Sequence, residues 1–266
     1  RGQADTHADL KIYHLGEPVA LSRRVPLLEN MGFRVISERT FEIRGEIPGA
    51  EEGEVVFLHD MELESADGKP IDLADEGALF ESVFDSVWQG TSDNDGYNAL
   101  VQTAGLRDRQ ITVLCILGRY LQQAGIPQNQ DFIAAVLNRY PAIARALHDL
   151  FVARFDPTAG EDRDRNVKTI RGSIADAMDA VPNLEEDMVL RRLLNLVEAA
   201  VRTNFFRAAE ADRPFSLAIK FDPRRMDGLP EPRPWREIFV YGPEVEGVHL
   251  RFGPVARGGL RWSDRA

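Results

Sequence analysis

The sequence predicts an α+β fold in three consecutive parts, and three observations predict it. Strand-like alternation and helical spacing are interleaved over residues 1–91. Helical spacing alone fills 92–210. Strand-like alternation then returns, with a proline-rich loop, over 211–266. A chain of 266 residues suits one large domain or two smaller ones, with enough apolar side chains for a sizeable core.

The first part opens on a short strand candidate, Leu10-Lys11-Ile12-Tyr13-His14-Leu15. Residues 18–31 read as a helix, with Val19, Val25, Leu27, Leu28 and Met31 on one side and Gly32 as its stop. Phe33, Val35, Phe41 and Ile43 recur at strand alternation, and Val55 to Leu63 supply a third strand. Asp67-Gly68-Lys69-Pro70 is a tight turn, and 75–88 reads as the closing helix. The acidic side chains between Glu46 and Glu76 read as solvated faces, not as a metal site.

The second part is a series of helices. Asp93-Asn94 reads as a cap for a helix ending at Gly105, and Asp108 as a cap for 109–123. Asn129 or Gln130 begins the next, and Pro141 breaks it before a further apolar face. A loop at 156–162 leads into a helix over 163–181. Pro182-Asn183 separates that helix from a last one over 184–206, whose apolar spacing runs through Leu190, Leu193, Leu194, Val197 and Val201.

In the third part Phe215, Leu217, Ile219 and Phe221 share one face of a strand, with Lys220 as a surface lysine at its end. Pro223, Pro230, Pro232 and Pro234 mark a loop, and 237–241 and 246–252 are two further strands. Gly253-Pro254 then turns into Val255-Ala256-Arg257-Gly258-Gly259-Leu260-Arg261-Trp262-Ser263-Asp264-Arg265. Gly258 and Gly259 lack Cβ atoms, so backbone there can approach a ligand closely. Arg257 and Arg261 carry planar forks that match carboxylate or phosphate oxygens. The stretch reads as an anion pocket at the end of a strand.

Gly-Pro, a basic residue, Gly-Gly, an aliphatic residue and Arg resemble the substrate loop of glutamate dehydrogenases. The longer wording, from Lys220-Phe221-Asp222-Pro223 to Arg265, resembles the large bacterial NAD-dependent members. The resemblance implies oxidative deamination of L-glutamate to 2-oxoglutarate with NAD as hydride acceptor. It implies that Arg257, Gly258, Gly259 and Arg261 bind substrate. Arg257 stands where family members usually have Lys. The family's catalytic lysine and acid lie downstream of the Gly-Gly motif, and no Gly-x-Gly-x-x-Gly follows a strand here, so the fragment alone is expected to be inactive. Arg1 in place of Met reads as an excerpt of something longer. The strand-helix-strand-strand-helix order of the first part resembles an ACT domain, which implies an amino-acid effector; Leu15-Gly16-Glu17-Pro18 supplies one glycine of the expected ligand turn.

The domain reading is therefore 1–91 as an ACT-like sandwich, 92–210 as a helical bundle, and 211–266 as the start of a substrate domain. The formal net charge of −11, without a clustered basic face, argues against nucleic acid as a partner. No apolar run approaches the ~20 residues that span a bilayer. The five histidines show no metal-ligand spacing, and the single Cys115 sits in an apolar run and reads as core. A cytoplasmic homo-oligomer is expected. Two other classes stay open: an amino-acid-sensing regulatory module, and a scaffold whose helices build an oligomer.

Overall fold

A computed structural model of the chain describes residues 6–45, 54–207, 216–254 and 260–262. The first alternating stretch folds as β1 (His7–Leu15), followed by α1 (Leu21–Asn30), β2 (Phe33–Ile43), β3 (Val56–Ser65) and α2 (Leu73–Trp88). The strands form an antiparallel sheet in the order β1-β3-β2. Gly32 stops α1 as expected, with φ at +91°, where an L side chain would be strained. Asp72 caps α2, its carboxylate accepting from the amides of Ala74 (3.1 Å) and Asp75 (3.3 Å).

One feature of β2 was not legible in its alternation. The register against β3 shifts between Val35 and Ser37, a β-bulge. One extra residue inverts the faces, so Phe33 is buried while Ile36, Phe41 and Ile43 are exposed. The inversion brings Glu38 and Thr40 onto the core side instead. There the buried Arg24 donates to Glu38 at 3.0 Å, and the Thr40 hydroxyl donates to the same carboxylate at 2.6 Å. The Val19 amide donates to His59 Nε2 at 3.1 Å. That nitrogen therefore accepts, and the ring proton sits on Nδ1, 2.9 Å from Thr40 Oγ1.

Burial pushes His59 and His148 below the usual histidine range. Both are neutral in the fold, whereas the unfolded chain takes up their protons near pH 6.5. The stability they contribute is present above that pH and is lost as pH falls through it. The urea midpoint is therefore expected to fall between pH 7.5 and 5.5, as protons that the fold disfavours bind the unfolded chain. His148→Gln should flatten that dependence, and an unchanged slope in the variant would contradict the assignment.

The helical part begins with a 3-10 turn, Gly96–Ala99, and continues as α3 (Leu100–Ala104), α4 (Asp108–Gln123), α5 (Gln130–Arg139), α6 (Pro141–Phe155), α7 (Arg163–Met178) and α8 (Leu184–Ala199). Asn129 and Asn183 cap α5 and α8 through their side-chain oxygens. Asp95, not Asp93-Asn94, caps the opening turn, accepting from the Tyr97 amide at 3.1 Å. Helix α4 lies at the centre and is buried on nearly every side, from Ile111 through Leu121.

The last helix ends sooner than its apolar spacing predicts. At Ala200 the backbone becomes extended, and β4 (Ala200–Thr203) pairs antiparallel with β5 (Leu217–Phe221). Arg154 of α6 donates to the carbonyls of Glu198 (3.1 Å) and Ala200 (3.0 Å), neutralising the C-terminal end of α8. The sheet continues through β6 (Arg236–Gly242), β7 (Val245–Arg251) and β8 (Leu260–Trp262), giving five antiparallel strands in chain order.

Candidate functional site at the C-terminal sheet

Alternation gives the five-stranded sheet two unlike faces. Leu217, Ile219, Phe221, Phe239 and Val248 point inward and are buried. Tyr120 of α4 stacks on Phe221, with ring centres 4.6 Å apart, and lies 5.5 Å from Phe239. Its hydroxyl donates to the buried Glu237 carboxylate. The other face carries Lys220, Arg236, His249 and Arg251, all half-buried.

The predicted anion loop leaves the sheet between β7 and β8. Arg251 Nη2 donates to the Pro254 carbonyl oxygen at 2.7 Å, which fixes the approach to the loop. On the return, Leu260 pairs with His249 and Arg261 with Val248. Residues 255–259 therefore join two hydrogen-bonded neighbouring strands. Arg257, Gly258 and Gly259 lie outside the described residues. Arg261 lies in β8 by its backbone, and its side chain is likewise outside the description.

A second polar centre, absent from the sequence reading, joins α4 to the hairpin end of β6 and β7. Arg119 Nη2 meets Asp93 at 2.9 Å and Asp95 at 3.2 Å, and Nη1 lies 3.5 Å from Glu246. Arg119 Nε donates to Cys115 Sγ at 3.4 Å, and its guanidinium lies 5.0 Å from the centre of the Tyr241 ring. The Tyr241 hydroxyl donates to the Asp93 carboxylate. Burial pushes the Cys115 thiol up to about 12, so it stays protonated and makes a poor nucleophile. Burial likewise raises Asp95 above the ordinary carboxylate range, although Arg119 opposes the shift. This cluster clamps elements together; its donors and acceptors are satisfied by one another.

In the N-terminal part a groove of about 490 Å³ opens between β1 and α2. Leu10, Ile12, Phe80 and Phe84 line it, together with the charged Lys11 and Glu81. Lys11 is paired there with Asp60 at 2.5 Å. Among the described residues no group of His, Cys, Asp and Glu gathers as a metal site. No helix among them is long and apolar enough to cross a membrane. Both sheets are antiparallel throughout, so the described residues contain no parallel βαβ crossover to hold a dinucleotide.

Three family models match successive stretches of the chain. They are "Glutamate dehydrogenase, ACT3 domain" over residues 1–76, "Glutamate dehydrogenase, helical motif 3" over 92–157, and "Bacterial NAD-glutamate dehydrogenase, catalytic domain" over 173–266. The chain is 40% identical to the NAD-specific glutamate dehydrogenase of Halomonas elongata over 97% of its length. It is 38% identical to that of Pseudomonas aeruginosa over 99%, and 40% identical to that of Mycobacterium tuberculosis over 94%. In each case it spans 16% of the relative's length.

Proposed function

The chain belongs to the large bacterial NAD-specific glutamate dehydrogenases, and from that premise we propose that it supplies the substrate-carboxylate loop of such an enzyme. In this reading residues 1–91 form a regulatory or structural module, 92–210 a helical support, and 211–266 the first part of the substrate domain. Arg257 and Arg261 hold a carboxylate of L-glutamate, and Gly258 and Gly259 let the backbone lie against it. The parent reaction is oxidative deamination: glutamate and water give 2-oxoglutarate and ammonia, and NAD accepts the hydride from the α-carbon. In this reading the dinucleotide-binding fold lies in other parts of the enzyme, because the described residues contain no parallel βαβ crossover, and this segment alone is inactive. The parent works as a cytoplasmic homo-oligomer.

The observation that supports this reading is the pairing of Leu260 and Arg261, the described end of the Arg-Gly-Gly-Leu-Arg string, with His249 and Val248 of β7. They sit at the edge of a sheet whose inner face is anchored on α4. The test is glutamate-dependent NAD reduction by the full-length enzyme. Arg257→Ala and Arg261→Ala are each expected to lower kcat/KM for glutamate on the order of a hundredfold, as removal of one partner of a hydrogen-bonded charge pair does. Unchanged kinetics in both variants would make the motif structural, and an inactive parent would refute the dehydrogenase reading. The groove between β1 and α2 supports an amino-acid effector as well. Adding single amino acids to the same assay reads that directly, and a rate indifferent to all of them would remove it.

A further inference from the structure

Although the chain's formal net charge is −11, one end of the outer face of the five-stranded sheet collects cations. The Trp235 ring centre lies 4.7 Å from the Arg236 guanidinium, 5.7 Å from that of Arg251 and 6.0 Å from Lys220 Nζ. Each distance is within reach of a cation–π attraction, but the three charges repel one another. Arg236 and Arg251 are direct cross-strand partners, a position in which like charges destabilise a sheet.

Compensation within the protein is thin. Among the described residues the carboxylate beside this group is Asp222, 3.2 Å from Arg236. Asp222 is already shared, accepting from Arg224 Nε at 3.1 Å and Nη2 at 3.2 Å. Neither Lys220 nor Arg251 meets a carboxylate among the described residues. Arg251 spends Nη2 on the Pro254 carbonyl, and its Nε is buried without an acceptor there. A solvated charged face would hold such side chains apart in water. Here three half-buried cations share one indole, a locally costly arrangement of the kind that folds retain at functional positions.

We propose that Lys220 and Arg251, seated on Trp235, form an oxyanion subsite on the outer face of the sheet; this rests on reading the chain as part of a glutamate dehydrogenase. The chemistry it recognises is a carboxylate or phosphate oxygen. Arg251 presents a fork, Lys220 a compact charge, and the indole a flat apolar wall. The two sources in the parent reaction are the dicarboxylate substrate and the phosphates of the dinucleotide.

The test uses the full-length enzyme, with glutamate and NAD varied separately and glutarate as an unreactive dicarboxylate inhibitor. Lys220→Gln and Arg251→Gln are made independently, so that a folding failure of one leaves the other to decide. Loss of a charge-assisted hydrogen bond should raise the affected KM roughly tenfold or more, and Lys220→Arg should recover most of it. A rise in glutamate KM with a matching rise in glutarate Ki identifies the substrate carboxylate as occupant. A rise confined to NAD identifies the phosphate source. If neither constant moves in folded variants, the cations serve only the fold and the proposal fails. If the unmodified enzyme shows no glutamate-dependent reduction of NAD, the underlying reading fails, an outcome distinct from active variants with unchanged constants.

Discussion

Arg119→Met is expected to destabilise the fold by roughly 3 kcal/mol, as when one member of a buried ion pair is removed. The guanidinium is only 20% exposed and answers three carboxylates from two distant segments, Asp93 and Asp95 before α4 and Glu246 on β7. Methionine fills much of the same volume but neutralises none of them. The penalty comes less from the lost attractions than from leaving the buried Glu246 and the half-buried Asp93 and Asp95 without a counter-charge. Because the cluster bridges α4 and the β6–β7 hairpin, the helical part and the sheet are expected to lose cooperativity together. The check is urea denaturation followed by near-ultraviolet circular dichroism. The double variant Arg119→Met/Asp95→Asn should recover part of the loss. A single-variant loss below about 1 kcal/mol, the scale of an exposed pair, would show the cluster to be solvent-screened.

Gly118→Ala is expected to cost roughly 1–3 kcal/mol, the range of core overpacking, although alanine is the better helix former. A Cβ at this position of α4 would overlap the hydroxyl of the buried Tyr97 and lie 3.2 Å from Ile133 Cγ2. Tyr97 has little room to retreat, since it is 1% exposed and its hydroxyl donates to Gln130 at 2.8 Å. Tyr97→Phe removes the oxygen that would clash, so it should lessen the cost of Gly118→Ala. Thermal unfolding of the two single variants and the double variant gives the coupling. Additive losses would mean that the helix shifts to make room and that the close approach is not what holds Gly118 as glycine.

Much of the architecture is legible along the chain because its signals are local. Gly32 stops α1, Asn129 and Asn183 cap their helices, and Pro141 divides α5 from α6, each through backbone chemistry within a few residues. The strands of the last part show themselves by alternation. Three features escaped. The bulge in β2 leaves residue types unchanged while inverting which of them face the core. The end of α8 falls inside an apolar spacing that continues through Val201, so periodicity sees no break. The break comes from Arg154 holding the last carbonyls and from β5 offering an edge. Strand β8 is too short to show alternation and exists by pairing with β7.

The candidate sites divide in the same way. The proposed anion loop is a contiguous string, so its candidate residues could be named from their types and spacing without any knowledge of what surrounds them. The Arg119 cluster draws on positions from 93 to 246, and the cations around Trp235 on positions from 220 to 251. In sequence, Arg119 is one arginine in a helix and Lys220 one lysine at a strand end. By itself, then, the sequence determined the α+β class, most element ends, the family and the loop motif, since these rest on short-range sterics, hydrogen bonding and hydrophobic period. Only the tertiary structure decided which charges are buried, which are shared and which lack a counter-charge, because desolvation and pairing depend on what distant strands and helices bring within about 4 Å of one another.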